Sequence, residues 1–128
     1  MKLTSNFSLQ ELLKSQTALR KGIDNKPANP GVITNLQVLC EKVLQPVRDH
    51  YARPVVINSG YRCPKLNKAI GSSSKSQHIK GMAADIEIPG LSNKELAEYI
   101  EDNLPFDQLI LEFYNGVDPS SGWVHVSY

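Results

Sequence analysis

The period of the apolar residues changes along this chain, and that change restricts the fold more than any other feature. Val32, Leu36, Leu39, Val43 and Val47 recur at helical spacing. They lay one buried stripe along a long helix opened by Asn29-Pro30. Pro46 is expected to kink or end that helix, because its ring lacks an N–H and crowds the carbonyl four residues back. Further on, Pro54–Asn58, Ala83–Ile88, Asp107–Phe113 and Trp123–Tyr128 read as short strands. Asn115-Gly116 and Ser121-Gly122 punctuate the turn between the last two. Helices followed by a run of strands imply an α+β fold, with helices packed against a small, mostly antiparallel sheet.

Local signals place the other helices. Ser8 and Glu11 form an S-x-x-E capping box, with Phe7 and Leu12 as its hydrophobic staple. Ser92 and Glu95 repeat the device with Leu91 and Leu96, marking a helix from about Asn93 to Asn103. A short helix follows Pro64 and ends near Gly71. The stretch Lys21–Asn29 holds Gly22, Asp24, Asn25 and Pro27 and reads as a surface loop.

The chain has 128 residues, which suits one domain over 1–128 with a core of its own. A net charge of +1 gives a polyanion no bulk attraction, so no nucleic-acid partner is expected. No apolar run approaches ~18 residues, so no membrane span is expected. The N-terminus lacks an apolar h-region, so synthesis in the cytoplasm without a signal peptide is expected. A monomer is expected. Cys40 and Cys63 sit in no CxxC pattern, and Cys40 is expected to behave as a small core residue.

Against this background one constellation carries chemistry. Ser76-Gln77-His78-Ile79-Lys80-Gly81-Met82-Ala83-Ala84-Asp85 is answered near the C-terminus by Trp123-Val124-His125-Val126-Ser127. Two imidazoles and a carboxylate are three protein ligands, a number common in catalytic zinc sites that keep a fourth position open for water. His78 is placed on a loop turned by Gly81, and Asp85 on the strand that follows. Ala83 and Ala84 are expected to leave room for a metal and a substrate. His125 lies in an apolar strand, on one face with Trp123 and Ser127. A histidine there is more often a satisfied core residue, but a second His and an Asp favour a ligand.

A hydrolytic metal site also needs a group that moves protons. Glu112 is the leading candidate. If the last two strands pair as a hairpin, Glu112 and His125 can share a face. Glu87 and Asp118 remain competitors. Arg62, in Asn58-Ser59-Gly60-Tyr61-Arg62 at a strand end, is suited to gripping a carboxylate or polarising a carbonyl. Ser76 is suited to donating a hydrogen bond to substrate. His50, at the end of the long helix, is read as a helix-terminus residue rather than a ligand.

Ser59-Gly60-Tyr61-Arg62, then Ser76-x-His78-x-x-Gly81-x-Ala83-x-Asp85, then Trp123-Val124-His125 resemble the zinc D-alanyl-D-alanine carboxypeptidase family of murein peptidases. That family includes phage endolysins that cut L-alanyl-D-glutamate bonds and the vancomycin-resistance dipeptidases. Asn6–Leu12 and Arg20–Asn25 resemble its small single-domain phage and prophage branch. The resemblance implies His78, Asp85 and His125 as zinc ligands, and Arg62 with Ser76 as substrate contacts. It implies a hedgehog-like or DD-peptidase-like fold and hydrolysis of peptidoglycan stem peptides in the cell wall, as a carboxypeptidase or an endopeptidase. One position departs from the pattern. Many members carry the catalytic acid three residues before the last histidine, where this chain has Gly122. Phe106–Glu112 resembles instead the related hedgehog signalling domain, in which a Glu ending such a strand lies beside the zinc. This supports Glu112. The hedgehog resemblance also keeps open a zinc-stabilised binding module of the cell wall or phage particle, without turnover.

Overall fold

The structure, a computed structural model, describes residues 1–128. The chain opens with a small antiparallel hairpin, β1 (Lys2–Thr4) and β2 (Phe7–Ser8), followed by α1 (Leu9–Leu13) and α2 (Gln16–Lys21). The long helix is α3 (Pro30–Leu39), a π turn (Cys40–Leu44) and α4 (Gln45–Tyr51). Then come β3 (Val56–Ser59), α5 (Pro64–Ile70), a 3-10 turn (Gln77–Lys80), β4 (Ala83–Glu87), α6 (Asn93–Asn103), β5 (Gln108–Glu112) and β6 (Trp123–Ser127). The main sheet has the order β3-β4-β6-β5, antiparallel throughout. No helix is long and apolar enough to cross a membrane.

The helix starts follow from their caps. Ser8 accepts from the Glu11 N–H, and the Glu11 carboxylate accepts from the Ser8 N–H, so two otherwise unpaired donors are satisfied together. At α6, Ser92 accepts from the Glu95 N–H at 3.3 Å. Gly71 closes α5 in the left-handed region at φ +84°. The hairpin β1–β2 and helix α2 are additions to the sequence reading. Ser15 starts α2 by accepting from the Ala18 N–H.

Pro46 behaves differently from expectation. The helix does not stop there and runs on to Tyr51. The chain widens into the π turn just ahead, where the Gln45 N–H reaches the Cys40 carbonyl five residues back. Pro46 then falls in the first turn of the following α-helical segment, where a missing N–H costs little.

The core is one cluster of 22 buried residues. The helical stripe Val32, Leu36, Leu39, Val43 and Val47 joins Leu96 and Ile100 of α6, together with Ala84, Ile86, Val124 and Val126 of the central strands. Side chains alternate across a strand. With Ala84, Ile86, Val124 and Val126 turned to the core, Asp85, Trp123 and His125 turn to the opposite face. Cys40 is fully buried in this cluster, and burial, then Glu11 and Glu41, push its thiol up to about 12. Neither it nor Cys63 forms a disulfide.

Candidate metal centre

Three separate segments meet on the outer face of the sheet. Asp85 of β4 stands directly opposite His125 of β6 in the antiparallel register. His78 comes from the 3-10 turn that precedes β4. Ser76 caps that turn by accepting from the His78 N–H at 3.2 Å, and Gly81 ends it at φ +73°. A Cβ at Gly81 would also stand 2.8 Å from the Val32 carbonyl oxygen, so the turn needs glycine both for its conformation and for its fit on α3.

The three residues are buried, and one potential ligand atom from each lies within 4.8 Å of the others. His78 Nε2 is 3.4 Å from Asp85 Oδ1, and His125 Nδ1 is 2.9 Å from the same oxygen. A tetrahedral shell with bonds of about 2.0–2.1 Å spaces neighbouring ligand atoms about 3.3 Å apart. The observed spacings bracket that value. His78 Nδ1 lies 2.7 Å from the Gly60 carbonyl, which can only accept, so the ring proton sits on Nδ1 and Nε2 offers its lone pair. His125 Nε2 is buried without a partner, so that ring can hold its proton there and leave Nδ1 free. The group fits a metal ion with borderline-soft preferences.

Burial by itself would raise the pKa of Asp85. Without a metal, when the ring nitrogens facing it can carry protons, hydrogen bonds from His125 and His78, with the pull of their charge, outweigh it and hold the carboxyl down at about 2. Arg62 braces the other carboxylate oxygen, with Nη2 at 3.4 Å from Asp85 Oδ2. Its Nε donates to Ser59 Oγ at 3.0 Å and its Nη1 to Asn67 Oδ1 at 3.4 Å. Burial lowers the guanidinium pKa, and Asp85 acts against that. Arg62 is thus a largely buried partner of the centre and not an ordinary surface arginine.

All six residues singled out from the sequence, His78, Asp85, His125, Glu112, Arg62 and Ser76, line one open cleft of about 490 Å³. Glu112 pairs with Trp123 and lies two residues from Ile110, the partner of His125, so it shares their face. The competing acids lie elsewhere. Glu87 is held by Asn58 at 2.7 Å and Asn93 at 3.4 Å, outside the cleft. Asp118 sits in an exposed turn, where the backbone N–H and the hydroxyl of Ser120 lower its pKa. Gly122 has φ +70°, and a Cβ there would collide with the Glu112 carbonyl oxygen. No side chain of any kind fits at that position.

Two expectations need correction. Ala83 and Ala84 do not open space in the site. Both are fully buried, Ala84 faces the core, and neither borders the cleft. His78 lies in a helical turn rather than an irregular loop. His50 stacks on Tyr99 with ring centroids 4.0 Å apart, away from the cleft. The sequence reading missed Lys75, Gln77 and Asp107, which also line the cleft, with Gln77 Nε2 donating to Asp107 at 3.2 Å. It also missed Asn67, which is 2% exposed. Only the adjacency of Lys75 and Gln77 to Ser76 hinted at the first two. Nothing local marks Asn67.

No curated protein matches the chain. A family model described as peptidase M15 matches residues 5–127, a span that takes in every residue of the cleft. A match of that extent, over a fold that brings two histidines and an aspartate to one point, shows that the chain belongs to the peptidase M15 family.

Proposed function

We propose that residues 1–128 are a single zinc peptidase domain that hydrolyses stem-peptide bonds of peptidoglycan in the cell wall, as a D-Ala-D-Ala carboxypeptidase or an L-Ala-D-Glu endopeptidase. The observation that carries this reading is the convergence of His78, Asp85 and His125 in a cleft that Glu112 also lines. His78 Nε2, one Asp85 oxygen and His125 Nδ1 would hold the zinc ion. When bound, zinc supplies a Lewis acid for the scissile carbonyl and lowers the pKa of water to roughly 7.

The chain's own groups supply the rest. Glu112 accepts a proton from the attacking water and returns it to the leaving amine. The Gly60 carbonyl fixes the His78 ring, and Arg62 holds Asp85 in place, so neither ligand has to reorganise during turnover. Ser76 spends an acceptor site on the His78 N–H and keeps its hydroxyl proton for substrate.

Digestion of defined muropeptides, read by mass spectrometry with and without chelator, tests the reading. Released D-alanine identifies a carboxypeptidase, and new D-glutamyl amino termini identify an endopeptidase. Co-sedimentation with murein and no product in either arm would replace the enzyme with a binding module.

A further inference from the structure

A substrate carboxylate entering this cleft meets two carboxylates, Asp107 and Glu112, besides the Asp85 of the centre. It therefore needs an unpaired cation. Arg62 is not one, because Nε, Nη1 and Nη2 are engaged by Ser59, Asn67 and Asp85. Lys75 is the other cation lining the cleft, and it makes no ion pair.

Its loop is held from several sides. Asn67 Nδ2 donates to the carbonyls of Ser73 at 2.9 Å and Ser72 at 3.4 Å. The Lys75 N–H donates to Ser73 Oγ at 3.1 Å, and the Ser76 N–H to the Ser73 carbonyl at 3.0 Å. Asn67 is buried and also accepts from Arg62. One amide therefore ties the loop that presents Lys75 to the arginine that braces Asp85.

We infer that Lys75 reads a carboxylate of the substrate while Arg62 stays on Asp85, so that the two cations of the cleft divide positioning from recognition. This rests on the stem-peptide reading above. An ammonium on a flexible stem suits the role, since it offers three donors and follows an anion without demanding one planar geometry. A stem peptide offers two such groups, the free carboxylate of D-glutamate and the terminal carboxylate of D-alanine.

The probe is N-acetyl-L-Ala-D-Glu-L-Lys-D-Ala-D-Ala, with one version amidated at the D-glutamate carboxylate and another at the C-terminus. Trp123, the single tryptophan, lines the cleft, so its fluorescence reports binding to the zinc-loaded Glu112→Gln protein. Lys75→Gln added to that protein is expected to weaken binding of the free acid about tenfold, the usual scale for one charge-assisted contact. In the active protein it should raise KM by a like factor and leave kcat within about twofold. Lys75→Arg should restore most of the loss. Lys94→Gln, an equal loss of charge at an exposed position of α6 outside the cleft, should not reproduce it. One amidation should weaken wild-type binding to the same degree and add nothing on top of Lys75→Gln, and which amidation does so identifies the carboxylate. The inference is overturned if neither amidation matters, or if the losses from amidation and Lys75→Gln multiply. Carboxylate-dependent binding without hydrolysis would remove the enzyme reading and leave this one standing. Hydrolysis indifferent to Lys75 would do the reverse.

Discussion

Glu112 and Asp85 are both carboxylates on the outer face of the sheet, and their surroundings suit them to opposite tasks. Asp85 is enclosed by two imidazoles and a guanidinium, which favour its charged form. Glu112 makes no ion pair and sits across the hairpin from Trp123. Glu112→Gln keeps the shape and removes the proposed base. Hydrolysis is expected to fall by about 10²–10⁴-fold, while zinc content, measured by elemental analysis, stays at the wild-type level. Undiminished turnover would remove Glu112 from its role. The Asp85 prediction concerns stability. Its pKa in the folded chain, about 2, lies below the ordinary 3.8, so the ionised form stabilises the fold and the contribution is complete above about pH 4. It disappears as pH falls from about 4 to 2, and a shift of nearly two units corresponds to about 2 kcal/mol. Denaturant titrations of chelated protein across that window should show the slope, and Asp85→Asn should flatten it.

At the scale of elements, the β5–β6 hairpin sets the distance between Glu112 and His125, which stands across from Ile110 two residues away. Its connection returns through Gly122, whose φ of +70° and close approach to the Glu112 carbonyl admit no Cβ. Gly122→Ala combines a strained backbone with overpacking, each worth about 1–3 kcal/mol. The expected result is a fall in Tm of several degrees, and activity lost by more than stability accounts for, because the strand end carrying Glu112 must shift. The same crowding explains why this chain does not place an acid at 122. The backbone of the hairpin fills the volume a side chain would need, and the carboxylate close by in the cleft is Glu112 on the neighbouring strand, the proposed acid. The 3-10 turn shows a comparable economy. Ser76 caps it, Gly81 ends it and the Gly60 carbonyl orients its histidine.

For the whole molecule, the candidate ligands come from segments distant in sequence, namely the turn before β4, β4 itself and the last strand. A metal bound only by the folded chain stabilises it by mass action, by about 4 kcal/mol at a thousandfold excess over Kd. Chelation should therefore lower the calorimetric Tm by several degrees, and restored zinc should recover it. An unchanged Tm would mean that the site holds no ion in solution. Much of this architecture was legible in the residues themselves. The capping box at Ser8, the N-cap at Ser92, the helical stripe from Val32 to Val47 and the alternation of the last strands act over a few positions, so they announce themselves locally. The motif spacing that carried the resemblance likewise marked His78, Asp85 and His125. Other features depend on partners far along the chain. The placing of Glu112 in the cleft, with Glu87 and Asp118 outside it, and the pairing of Arg62 with Asp85 depend on which strands pair and in what register. The fold class and the candidate ligands could be read from the residues alone, because periodicity, caps and motifs are short-range. Which charges meet emerged from the folded chain, because a hydrogen bond or an ion pair is set by distance in space, and the sheet order β3-β4-β6-β5 brings together residues that the chain keeps apart.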